Sequence, residues 1–544
     1  MTARVLIGLA LMLPAVLAWL WSYVLPTVST VLESFQRDDL IRPAESVGTK
    51  NYEHVFDSGT SSIVGQVGFA LLLGLVPLAL ALLAAPLLAV VAHRAGRVAR
   101  LVTRGVLALP VAGYAPVAIL IGLRFDSTRS DDFAKNMEAP GGWLTSVVAQ
   151  TTFGLVIAVA ATLYLSALRR REPGRRSTPA VLAVGGLLVL GILAAALQIY
   201  TTPAIMTDGG PQGDTTTPVL GAVQAGLRTA QFGVGAATST LLLALLGLLG
   251  LGAVGLILGT GLRIEFDGWR DRHATEPKQA PAATGTNATQ PLFIGLAAVA
   301  LVAFLGILGW ALAPWLRGMF SGGTDLPAEI STSTVLANTW LPPLIAALVS
   351  IALAALAGFG IGALRPLGRW SELLLVPFAP WLFVGIGPLA IAGFKRTVDA
   401  GQLNTFLGLI PPVWLSVPAL FAFTLLFRGQ HDRWQAGGGL NRTLILPALP
   451  MLAVTFLVTW LFTAQQPLWA SFVAQDVRHM PAPLLIRFLS EQTVASGSGP
   501  GPLGLALSLP LLVLFVLIFA ALQIGYLDRL AIRVGRGTSA GTEG

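Results

Sequence analysis

Cysteine is absent from this chain of 544 residues, which excludes disulfides, thiolate metal sites and thiol catalysis. Charge is scarce: 11% of the residues are Asp, Glu, Lys or Arg and 54% are hydrophobic, with a mean hydropathy of +0.75, whereas soluble domains carry roughly 25% charged residues. That composition is the signature of an integral membrane protein. No G-x-x-x-x-G-K-[ST] phosphate loop occurs, so hydrolysis of a nucleotide by this chain is not expected. The five histidines, His54, His93, His273, His431 and His479, are scattered without H-E-x-x-H or paired spacing, and read as loop residues rather than metal ligands. No polar cluster converges in the manner of a catalytic site, so we expect neither an enzyme nor a bound cofactor.

What is present is a succession of apolar runs. A spanning helix needs about 20 mostly apolar residues, and twelve uncharged windows qualify: 5–26, 64–91, 105–123, 145–168, 178–201, 234–261, 291–315, 337–363, 373–394, 407–427, 444–464 and 502–526. The first exceeds the usual h-region of a signal peptide and lacks a clean A-x-A site, so it reads as an anchor. Trp19 and Trp21 suit an interfacial aromatic belt near its end. With the N-terminus in the cytoplasm, the cytoplasmic segments hold 22 of the 34 Lys and Arg and 9 of the 26 acids. The reverse orientation would break the positive-inside rule. The formal charge of +8 therefore follows membrane topology and is not a nucleic-acid footprint. Both termini are expected in the cytoplasm.

Residues 263–290, whose later part is rich in Ala, Pro, Thr and Gln without a hydrophobic period, read as a linker that divides the helices six and six. The expected organisation is a first half at 1–262, the linker at 263–290, a second half at 291–527 and a cytoplasmic tail at 528–544. Each half has one short basic loop early and another between its fourth and fifth helices. These are residues 93–100 and 169–177 in the first half, and 365–369 and 428–442 in the second. The repeated spacing predicts two related all-α units of six helices, a common way to place a transport path between halves.

All twelve windows lack Asp, Glu, Lys, Arg and His. Proton-coupled carriers generally keep ionisable groups inside the bundle, so uphill transport here would draw its energy from another subunit. Uncharged polar groups remain in or near the cores: Gln150, Thr151, Thr152, Gln198, Gln224, Thr238, Ser239, Thr240, Asn338, Thr339, Gln465 and Gln466. They suit either a neutral polyol or pairing between helices.

The stretch TTPAIMTDGGPQGDTTTPVL, Thr201 to Leu220, is polar and stiff between two apolar runs. Gly209, Gly210 and Pro211 demand a tight turn, and Thr215 to Thr217 favour extended backbone before the chain re-enters near Phe232. This T-x-G-G-P, with Thr207, the three threonines, Phe232 and Gly233, resembles the signature of the first, maltose-type membrane subunit of binding-protein-dependent ABC sugar importers. So does V-G-x-x-N-Y, here Val47, Gly48, Asn51 and Tyr52, continued by Val55 and Phe56. Arg104, Leu109 and Pro110 fit R-x-x-x-x-L-P at the third helix. The second half resembles the companion subunit through Asn338-Thr339, Leu403-Asn404-Thr405 with Gly408, Leu446 to Pro450, Trp460 and Pro467-Leu468. The resemblance covers all but the linker and tail, and implies both membrane subunits fused in one chain.

By that resemblance the protein is a multi-pass permease of a bacterial-type inner membrane. It carries a sugar or related polar solute between its halves, receives it from an extracytoplasmic solute-binding protein, and is driven by separate ATPase subunits that hold the ATP. Val47, Gly48, Asn51, Tyr52, Thr207, Gly209, Gly210 and Pro211 then belong to the outer side. The family's cytoplasmic E-A-A-x-x-x-G loop is missing. In its place stand Arg169, Arg170, Arg171, Arg175 and Arg176, and Arg428, Arg433, Ala436, Gly437 and Arg442, the candidate ATPase-facing loops. The degenerate loops leave a second expectation, a permease-derived scaffold or sensor that has lost ATPase coupling.

Overall fold

A computed structural model describes residues 3–38, 44–126, 139–169, 177–266, 289–321, 326–496 and 502–535. The chain is overwhelmingly helical, the arrangement that satisfies backbone polar groups within each segment in lipid. The first half runs through α1 (Arg4–Glu33), α2 (Lys50–Asp57), α3 (Ile63–Arg94), α4 (Arg97–Ala112), α5 (Pro116–Arg124) and α6 (Pro140–Leu168). It continues with α7 (Thr178–Leu197), the short α8 (Thr201–Met206) and α9 (Pro218–Val223), and α10 (Phe232–Thr260). The second half comprises α11 (Gln290–Ser321), α12 (Thr332–Phe359), a 3-10 segment Gly368–Trp381 and α13 (Ala390–Asp399). After these come α14 (Val417–Gln435), α15 (Leu446–Ala464), α16 (Ala470–Val473), α17 (Ala482–Ser496) and α18 (Leu509–Gly525).

Among the described residues nine helices are long and apolar enough to cross a membrane, or ten if α4 and α5, bent by 76°, are one span. The window 105–123 is thus broken at its middle, where Gly113 ends α4 and Pro116 opens α5. The window 373–394 forms 3-10 turns before α13, because Pro377 and Pro380 remove two donors from an α ladder. The window 407–427 becomes helical only at Val417. Elsewhere proline is absorbed differently. Pro26, Pro86 and Pro447 each follow a π turn, Leu20–Val24, Leu80–Ala84 and Asn441–Ile445, whose wider i→i+5 closure relieves the clash between ring and preceding carbonyl.

The two halves interlock reciprocally. α1 crosses onto α12 of the second half, and α11 crosses onto α3 and α5 of the first. α10 packs against the 3-10 segment, and α18 against α4. Beyond α10 and α18 lie two short strands, β3 (Arg263–Phe266) and β4 (Leu530–Arg533), which pair antiparallel with Arg263 opposite Arg533 and Phe266 opposite Leu530. β3 lies on α14 and β4 on α6, so each strand rests on a helix of the opposite half. The first residues of the expected linker, 263–266, and residues 530–533 of the expected tail form this ladder. Residues 267–288 of the linker lie outside the described residues. A smaller ladder joins β1 (Gln36–Arg37) to β2 (Glu45–Ser46) after α1. Of the two tryptophans read as a belt, Trp21 is exposed beneath the Arg396 guanidinium, while Trp19 packs inward on Phe378 and Trp381.

Candidate functional site

The two signature stretches meet in space. Val47 N–H donates to the Phe35 carbonyl, and Asn51 Nδ2 donates to the Ser34 and Gln36 carbonyls at 2.9 and 2.8 Å. Tyr52 Oη lies 2.6 Å from Ser34 Oγ. The V-G-x-x-N-Y stretch thus fastens α2 to the end of α1, with Gly48 at φ 61° making the turn. Gly233 closes the same knot, since a Cβ there would collide with the Gln36 carbonyl.

The Thr201–Leu220 stretch folds as a self-tied loop. Backbone φ is positive at Asp208, Gly209, Gln212 and Gly213. Thr207 and Thr215 hydroxyls lie 2.8 Å apart, Thr215 donates to Gly210 O at 2.8 Å, and Thr216 to Gly209 O at 3.3 Å. Gln224 Nε2 donates to the Asp208 carbonyl, and Arg228 pairs with the Asp208 carboxylate. The three threonines are buried tethers, and Thr217, with φ −99° and ψ 162°, is extended before Pro218 opens α9. Pro211 is left exposed at the tip. Ser61 Oγ contacts the Gln212 carbonyl, and His54, Asp208, Gly209 and Gln224 line a cavity of about 330 Å³ shared with α2.

Among the described arginines of the candidate ATPase-facing loops, Arg169, Arg428 and Arg433 are engaged within the chain. Arg428 pairs with Glu372 at 3.1 Å and donates to Leu262 O, while Arg433 donates to Phe266 O at 2.6 Å, so both hold β3 and its approach. Arg169 lies 3.9 Å from Asp528. Ala436 and Gly437 form the turn after α14, with Gly437 at φ 93°, and Arg442 is exposed. Arg170, Arg171, Arg175 and Arg176 lie outside the described residues.

Between the halves is a cavity of about 430 Å³ whose walls come from both: Tyr114, Gln150 and Thr202 on one side, Phe383, Gly387 and Gln466 on the other. Thr151, Thr152 and Gln198 also line it. Packing sorts the polar groups that sequence left unranked. Gln198 donates to Ala194 O and Phe383 O and accepts from Gly385 N, stitching α7 to the break in the second half. Gln465 is spent on Ala506 O, and Thr339 on Val335 O and Ala482 N. Thr151 and Thr152, on the cavity wall, donate their hydroxyls to carbonyls one turn back. Gln466 Nε2 reaches Tyr114 Oη at 3.5 Å, and the Tyr114 ring stacks on Phe462 with centroids 4.1 Å apart. Tyr114 was not singled out from sequence, although its place after Gly113, where α4 breaks, is a readable signal.

At the other end the same helices are charged. Arg104, only 1% exposed, sends its guanidinium to Asp528 at 3.2 Å, Gln523 at 3.3 Å and Ser166 at 3.3 Å, and Arg100 pairs with Asp528 at 2.8 Å. The uncharged window stopped one residue short of Arg104, yet α4 includes it. From Thr152 to Arg169 along α6 is about 25 Å at 1.5 Å per residue, so the uncharged cavity and the ionic end are well separated. A second ionic knot, also missed, joins Lys395 to Glu33 and Asp38.

The fold and its cavities define a helical membrane protein with several apolar helices able to cross a bilayer. The chain matches no protein-family model and no curated protein.

Proposed function

We propose that the chain is the membrane permease of an ABC-type importer for a sugar or related polar solute, with both permease halves in one polypeptide. In this reading the twelve windows are twelve passes, with a kinked third, a 3-10 ninth and a tenth that is helical only from Val417. Both termini are cytoplasmic in a bacterial-type inner membrane. The observation that carries the proposal is the cavity between the halves, lined by uncharged polar and aromatic groups from both and set apart from the Arg104–Asp528 cluster at the basic end. Such a lining suits a neutral hydroxylated solute, because burying an unpaired charge there would be costly. The joined α2 and Asp208–Gly210 surface is the side offered to a solute-binding protein. ATP is bound by partner ATPase subunits at the basic face.

One observation favours the alternative of a scaffold or sensor without ATPase coupling: Arg428 and Arg433 are committed to the chain's own carbonyls and carboxylate. Purification of the tagged protein from its native membrane in mild detergent, followed by mass spectrometry, separates the two. Stoichiometric ATPase subunits and a solute-binding protein are expected for the importer. A different stable partner in their place would sink it in favour of the scaffold.

A further inference from the structure

A second cavity, of about 230 Å³, lies inside the second half among α12, α14 and α15, with Tyr23 of α1 on its wall. Its lining contains no Asp, Glu, Lys, Arg or His. Along α15 and just beyond, Thr459, Phe462, Thr463 and Gln466 stand at positions i, i+3, i+4 and i+7 and all line it, one stripe of a helix.

The threonines of this stripe break the habit of the others. Thr151, Thr152, Thr240, Thr424 and Thr455 each return the hydroxyl to the carbonyl one turn back, the usual resort of threonine in an apolar helix. Among the described residues neither the Thr459 nor the Thr463 hydroxyl has a hydrogen-bond partner, although both open into the cavity. Leaving two hydroxyls unpaired inside a membrane protein is costly unless something in the cavity pairs with them. Ser350 and Ser416 add further hydroxyls, and Phe462 and Trp469 supply apolar faces.

The chamber also touches the path. Gln466 and Ile386 line both this cavity and the one between the halves, and the stacked Tyr114–Phe462 pair with Gln466 forms the partition. We infer that this chamber is a second solute station, taking an uncharged hydroxyl-bearing molecule passed through the Tyr114–Gln466 partition. The inference rests on the permease reading. Hydroxyls meet Thr459, Thr463 and Ser416, C–H faces meet the aromatic rings, and charged solutes are refused for want of a counter-ion.

The absence of cysteine makes single thiols clean reporters. Thr459→Cys and Thr463→Cys, in membranes without added ATPase, would be treated with 2-hydroxyethyl methanethiosulfonate, with Leu449→Cys, 52% exposed on the outside of α15, as control. Only a hydrated thiol ionises and reacts readily, so both chamber thiols should label at least about tenfold faster than the control. Glucose at about 100 mM should slow the reaction about threefold if its Kd is near 50 mM, by the factor 1 + [L]/Kd, whereas glucose 6-phosphate should not. A further Gln466→Trp, which thickens the partition, should slow labelling at position 459. Labelling no faster than the control overturns the chamber. Equal protection by both sugars, or by neither, overturns the solute class, and an unchanged rate with Gln466→Trp overturns the route. Loss of ATPase co-purification with glucose protection intact would instead count against the importer alone.

Discussion

Arg104 ties three elements with one side chain: its own α4, α6 through Ser166, and the end of α18 through Gln523 and Asp528. Arg104→Ala should lower stability by roughly 2–4 kcal/mol, since it strips hydrogen bonds from buried acceptors and weakens a buried ion pair. Arg104→Lys should rescue little, because an ammonium cannot reproduce the planar fork. Thermal unfolding in detergent measures both, and an unchanged midpoint for Arg104→Ala would mean that Arg100 alone holds Asp528. Asn51→Ala should cost about 1–3 kcal/mol by stranding the Ser34 and Gln36 carbonyls, read as a lower midpoint and as protease cleavage at the end of α1. Resistance equal to that of the parent protein would remove Asn51 from the knot. The motif around Asn51 was legible in sequence as a pattern. Its job was not, because the partners are backbone carbonyls, which leave no mark on a sequence.

At the scale of elements, long charge-free runs such as α3, α10 and α12 were legible, since roughly 20 apolar residues admit few other fates. The interruptions were less so. Gly113 and Pro116 break the third run, and Pro377 and Pro380 turn the ninth into 3-10 turns, because hydropathy is blind to missing donors. The strands RIEF and LAIR are too short for a period of two to show, and their partnership spans almost half the chain. Cysteines at Ile264 and Ile532, which face each other across β3 and β4, should form a disulfide on mild oxidation, as opposed strand positions are about 4.5–5.5 Å apart. With a protease site placed in 267–288, the cut chain should run as one band without reductant and two with it. Two bands in both cases would show that the ladder is open in the membrane.

For the whole molecule, the reciprocal crossings of α1 and α11 hold the halves together without the linker. Severing the chain within 267–288 should therefore leave residues 1–266 and 289–544 co-purifying in mild detergent, and recovery of the tagged half alone would refute the interlock. The repeated basic loops were visible in the sequence. The cavity between the halves was not, since Gln150, Thr202 and Gln466 are brought together only by packing and share no local pattern.

The pairing of β3 with β4 also carries a timetable. Roughly 260 residues separate the two strands, and at 5–20 residues per second their synthesis takes on the order of tens of seconds. Throughout that interval β3 keeps an open strand edge, and for its first part, until α12 is made, α1 lacks the helix it packs against. Residues Leu530 to Arg533 are thus among those that fasten the first half shut, and a chain truncated before Leu530 would lack that fastening.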